Sequence, residues 1–154
     1  MTGRGRALAL VALMLAGCGS TSAPTHPATP SVVARSAEDA VTGYLRAVAS
    51  HDAAGARAYL APEFQRRRAT TLPRFEDWVA DVVSLRLQNI SEPVTPTGLE
   101  DSHPGYAPLA EFGVSYDSVF RGTTDETSGP QTRFFVVGRS PSGAWSIVDI
   151  GTGP

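Results

Sequence analysis

The apolar residues change their spacing once, near residue 83, and no other feature constrains the fold as much. Before that point they recur at intervals of three and four; after it they alternate. Ala37, Val41, Tyr44, Leu45 and Val48 make one helical stripe, opened by Ser36 with Asp39 three residues on, the pattern of a capping box. Asp52 is placed to cap a second short helix bearing Ala56, Tyr59 and Leu60, which Pro62 closes. After Pro73, Phe75, Trp78, Val79 and Val82 share one face of a third helical piece, with Asp77 and Asp81 opposite. From there the period is two. Leu85 and Leu87 alternate with Arg86 and Gln88 over 84–90, and the even positions of 110–120 are mostly apolar or aromatic. Residues 132–139 and 144–150 read as two further strands joined by the turn Ser140-Pro141-Ser142-Gly143. Helices followed by a run of turn-linked strands predict an α+β domain with a mostly antiparallel sheet of four to five strands. The segment Glu92–Pro108, with four Pro and two Gly, reads as a long loop, and Gly122–Pro130 as a polar hairpin connection.

The domain so defined covers 37–154 and is preceded by two segments of different character. Arg4 and Arg6 precede an uncharged run of ten residues, Ala7–Ala16. A membrane-spanning helix needs about 20 apolar residues, so ten have the length of a signal-peptide core. The run leads directly into Leu15-Ala16-Gly17-Cys18, and Cys18 is the only cysteine in the chain. This N-terminus resembles that of bacterial lipoproteins, whose lipobox places a small residue before an acylated Cys. The resemblance implies cleavage after Gly17, so that 1–17 is a lipoprotein signal peptide. It also implies diacylglycerol on Cys18 and a place on the extracytoplasmic face of the cell membrane. Two acyl chains give durable anchoring where one binds only marginally. Residues 18–36 are then the lipidated Cys and a tether rich in Ser, Thr, Pro and Ala, which lacks the apolar content to fold. Its three prolines favour extended chain, and at ~3.1 Å per residue it reaches on the order of 50 Å.

The chemistry-bearing residues are few. All 13 basic residues are Arg, against 15 acidic ones, and the formal charge is −2. Loss of Arg4 and Arg6 takes it to −4. Neither value suits a nucleic-acid binder. A single Cys excludes an internal disulfide framework and a multi-cysteine metal site. His26 lies in the tether with no second ligand near it, so no metal is expected there. His51 precedes Asp52 at an interhelical corner, where a polar turn residue is expected. His103, beside Glu100 and Asp101, falls in the Pro-rich loop, where acidic neighbours are ordinarily solvated. Arg66-Arg67-Arg68, flanked by Glu63, Glu76 and Asp77, reads as a solvated helix end or a surface ion-pair cluster. Asn89-Ile90-Ser91 matches a glycosylation sequon by chance in a lipobox protein. The chain contains no phosphate-binding Gly loop, nucleophile elbow, zinc-protease helix or calcium loop. No cofactor is expected.

The helix-then-strand order resembles the nuclear-transport-factor-2-like, or cystatin-like, superfamily, in which helices fill the cone of a curved antiparallel sheet. Ala40–Phe64 carries the likeness, with a helix ending in a polar residue plus Asp and a second ending in a Pro-acidic-aromatic corner. Trp145–Pro154 is similar to the last strand of exported members. The resemblance implies a pocket or a sheet face for a small apolar ligand or an envelope partner protein, and face-to-face pairing into a homodimer. Enzymes of the superfamily point carboxylates or a His and Asp into the cone. Asp149 alternates with Trp145 and Ile147 on one face of the last strand, while Ala144, Val148 and Ile150 occupy the other. With strict period two, either Asp149 lines the pocket near Tyr44 or Tyr116, or it is a surface acid. The surface placement is the expectation, and the domain is read as non-enzymatic. A small hydrolase or isomerase using Asp149 with a Tyr or His is the alternative. Tyr44, Trp78, Tyr116 and Asp149 are the candidate ligand-binding residues; Trp78, Tyr59 and Phe64, at helical spacing, are expected in the core.

Overall fold

A computed structural model describes residues 34–71, 75–122 and 128–152. The expected leader, the expected lipidation site at Cys18 and His26 lie outside the described residues. Among the described residues no helix is long and apolar enough to cross a membrane.

Helix α1 spans Ala37–Ala49. The Ser36 hydroxyl accepts the Asp39 amide at 3.0 Å and the Asp39 carboxylate accepts the Ser36 amide at 3.1 Å, so two orphan donors are satisfied reciprocally. Its buried stripe is Ala40, Val41, Tyr44, Leu45 and Val48. Helix α2, Ala53–Ala58, is capped by Asp52, whose carboxylate accepts the Gly55 amide at 2.8 Å. Helix α3, Pro62–Thr71, was not expected: Pro62 does not close a helix but opens one. Proline suits a first helical position because its missing N–H would be an orphan there anyway. Helix α4 covers Phe75–Asp81, and Val82, expected on its apolar face, is instead the first residue of a strand.

Strands β1 (Val82–Ile90), β2 (Leu109–Phe120), β3 (Gly129–Arg139) and β4 (Trp145–Gly151) form one antiparallel sheet in the order β1-β2-β3-β4. The α+β class is therefore as expected, with four strands. Directly paired residues share a face. Phe112 with Phe135, Val114 with Arg133 and Tyr116 with Leu87 define the face under the helices; Glu111 with Val136 and Gly113 with Phe134 define the outer face. Helix α1 packs against β1, β3 and β4. The core lies between, with Val41, Val48, Val79, Val114, Phe135, Val137 and Ile147 almost wholly buried.

One edge of the sheet is partly covered. At β4 the backbone between α2 and α3 adds a short parallel pairing: the Ile147 amide donates to the Tyr59 carbonyl at 2.8 Å and the Ala61 amide to the Ile147 carbonyl at 2.9 Å. Covering an edge in this way blocks further strand addition. The long segment after β1 is not a free loop. Val94 pairs with Glu111, Ala107 donates to the Arg139 carbonyl at 2.9 Å, and Leu109 is buried on the outer face. Residues 99–108 thus form a strap over the outer face.

Candidate functional site

The helices and the sheet border a half-open pocket of about 290 Å³. Tyr44 and Leu45 come to it from α1, Arg68 from α3 and Trp78 from α4. The sheet supplies Leu85, Tyr116, Arg133, Phe135, Ile150 and Gly151, and Thr152 follows it in the lining. The register explains this set. Leu85 pairs opposite Ser118, Phe135 opposite Ile150 and Arg133 opposite Val114, all on the helix face. Tyr44 meets Phe135 edge-on with ring centroids 5.9 Å apart, and Trp78 sits 6.1 Å from Phe120. Edge contacts of this kind fix ring orientation beyond simple area burial. Ser118, beside the lining on β2, has a buried hydroxyl with no hydrogen-bond partner among the described residues.

Three of the four candidate residues, Tyr44, Trp78 and Tyr116, line this one cavity. Asp149 does not. It pairs with Val136 on the outer face, half-buried, and its carboxylate accepts the amide of Ile150 at 3.0 Å. Neither of the expected face sets for β4 is realised. A bulge between the pairs at Val136 and Val137 sets Ile147 and Ile150 on the helix face and Asp149 on the other. One extra residue inverts the alternation beyond it.

His51 is at the α1–α2 corner, exposed, its ring 3.3 Å from the Val79 carbonyl. His103 differs from expectation: it is only 4% exposed, tucked under the strap. The Asp149, Arg67 and Glu63 charges act on it, and burial, aided by Arg67, pushes its imidazole below the ordinary 6.5 despite the two carboxylates. Beside it Tyr106 hydrogen-bonds Glu63, and burial with that bond pushes its phenol up to about 12. The Arg66–Arg68 run is only partly a solvated end. Arg67 donates to the Val148 carbonyl at 2.7 Å, and Arg67 and Arg68 lie over the Phe64 ring, 5.5 and 5.4 Å from its centroid. Glu76, one of the acidic residues near the triplet in sequence, pairs with Arg57.

Sequence reasoning missed Arg133, Arg68, Phe135 and Ile150 as lining. Arg133 was within reach, since it shares parity with Phe135 on β3. Arg68 was not, because its placement depends on the unexpected α3. Among the described residues no group of three or more His, Cys, Asp or Glu could hold a metal ion. No protein-family model, curated protein or solved structure matches the chain.

Proposed function

We propose that this is a lipoprotein anchored through Cys18 on the extracytoplasmic face of the cell membrane, whose domain holds a small apolar ligand in the cavity between its helices and sheet. The single observation carrying the ligand-binding reading is that cavity. Its walls combine aromatic and aliphatic side chains with Arg68, Arg133 and Thr152, and its volume of about 290 Å³ lies just below the roughly 300–1,000 Å³ usual for small-molecule sites. We further read the fold as nuclear-transport-factor-2-like, on the strength of helices laid on one face of an antiparallel meander. No catalytic role is assigned. Among the described residues the lining holds no carboxylate and no histidine. The enzymatic alternative would have to use Asp149 on the outer face, with His103 as its neighbour.

Two measurements test this reading. Native mass spectrometry of the full-length protein purified from its own cells should show a small bound molecule. Its mass should be absent from a Leu45→Trp variant, in which the indole fills the cavity. Metabolic labelling with a radioactive fatty acid should mark the parent and not Cys18→Ala, and the variant should leave the membrane fraction. A label that persists in Cys18→Ala refutes the anchor.

A further inference from the structure

The lining of the pocket grades from buried to exposed, and its buried part is aromatic. Tyr44, Leu45, Tyr116 and Phe135, from α1, β2 and β3, are almost wholly buried. Arg68, Trp78, Leu85, Arg133 and Ile150 are half-buried, while Gly151 and Thr152 are exposed. In a half-open pocket this gradient makes the aromatic part the inner one and puts the open side toward Gly151 and Thr152. The inner rings are braced by other rings. Tyr44 meets Phe135 edge-on with centroids 5.9 Å apart, and Trp78 stacks on Phe75 at 5.9 Å and contacts Phe120 at 6.1 Å. Side chains fixed in this way lose little freedom when a ligand arrives. A further ring brought against them gains contacts beyond those of an alkyl group of equal area, because edge and face carry opposite partial charge. The space suits one ring. A dry cavity of about 150 Å³ holds benzene, so about 290 Å³ takes a ring with a short substituent.

Resting on the ligand-binding reading above, we infer that the pocket takes a single aromatic ring, set against Tyr44, Trp78 and Phe135, with the polar remainder of the ligand left in water on the side of Gly151 and Thr152. A saturated ring or chain of the same size fills the space equally well but lacks the ring–ring contacts.

The test is a titration of the full-length chain carrying Cys18→Ala, followed by NMR of the ligand, with three uncharged probes: benzyl alcohol, its saturated isostere cyclohexylmethanol, and the monobenzyl ether of triethylene glycol. Cyclohexylmethanol is the more apolar of the first two, so burial alone favours it. Benzyl alcohol should nevertheless bind more tightly, by up to about tenfold, the scale of ring–ring contacts, and its ring protons should move upfield. The glycol ether should bind about as tightly as benzyl alcohol, because its tail leaves through the open side. Phe135→Leu and Trp78→Leu each replace a ring by an alkyl group, and each should cut the preference while cyclohexylmethanol still binds. If Phe135→Leu fails to fold, Trp78→Leu decides. Cyclohexylmethanol binding as tightly as benzyl alcohol overturns the aromatic assignment and leaves the apolar-ligand reading standing. Loss of binding by the glycol ether alone overturns the outward placement of the polar remainder. Binding of none of the three overturns the aromatic assignment alone if the protein from its own cells still carries a bound molecule, and both readings if it carries none.

Discussion

A glycine marks where the strap meets the sheet. Gly138 faces outward on β3, opposite Leu109, and a Cβ built on it would stand 2.6 Å from the Tyr106 Cβ and 2.9 Å from Leu109 Cδ2. The first of these is the root of a side chain rather than its mobile tip, so relief requires moving the strap backbone. Overpacking of this kind costs typically about 1–3 kcal/mol. Gly138→Ala should lower the unfolding free energy by that amount in urea titration, and Gly113→Ala serves as its control. Gly113 lies on the same face, where the nearest atom to a built Cβ is 3.6 Å away. Equal losses in the two variants would mean that strand propensity, not the strap, sets the cost at Gly138.

At the scale of elements, the end of α1 shows how a local rule can be met by an unusual residue. The His51 amide donates to the Val48 carbonyl at 3.0 Å and the Asp52 amide to the Ala47 carbonyl at 2.9 Å, the two bonds of a Schellman cap. The cap needs a left-handed residue, and His51 supplies it with φ of 59°. That conformation costs an L-residue roughly 1–2 kcal/mol, and more for a β-branched one. His51→Gly and His51→Val both lose the ring's contact with Val79, so the difference between them isolates the backbone. The valine variant should be less stable than the glycine variant by about 1–2 kcal/mol in thermal unfolding. Equal midpoints would show that the helix can end another way. The start of α1 and the alternation of β2 were legible in the chain because each is set locally, by Ser36 with Asp39 and by strict period two. The burial of β2, with Phe112, Val114, Tyr116 and Ser118 all inward, follows that alternation directly. Helix α3 was not legible: Phe64 is nearly alone as an apolar anchor among Gln65, Arg66, Arg67 and Arg68, and Pro62 reads equally as a stop or a start. The β4 bulge was hidden for a different reason. It is a misfit between two strands, visible only once Val136 and Val137 of the partner are aligned. The consequence reaches the candidate site, since the bulge alone sends Asp149 away from the cavity and Ile150 into it.

At the scale of the molecule, the sheet has a helix-covered face and a strapped face, and the strap is held through titratable groups. His103 and Tyr106 descend from it toward β4 and α3, where Asp149, Glu63, Arg66 and Arg67 face them. Burial favours the neutral imidazole of His103, so its folded-state pKa lies below the ordinary 6.5. A group depressed in this way stabilises the folded state above the unfolded value, and that contribution is lost as pH falls through 6.5 toward the lower folded value, because the unfolded chain then binds the proton more readily. Tyr106 acts at the other end of the scale. Its phenol is raised from 10.0 to about 12, so the neutral form it favours is fully populated below pH 10.0 and its contribution fades as pH rises toward 12. Of these two groups it is His103 whose contribution changes near neutral pH, and a change of stability between pH 7.5 and 5.5 has to be separated from that of every other group by difference. His103→Phe keeps a ring of similar size under the strap and removes the proton site. The urea midpoint of the parent should fall more steeply than that of the variant as the pH is lowered from 7.5 to 5.5, with the two curves nearly parallel above pH 7. Hydrogen exchange should place the loss in the strap, at the amides of Tyr106 and Ala107, which bond to the His103 and Arg139 carbonyls, while the Val137–Ile147 pairing under the helices keeps its protection. Parallel curves throughout would mean that Asp149 and Glu63 balance the burial of the imidazole, and that the strap is closed by packing on Gly138 alone.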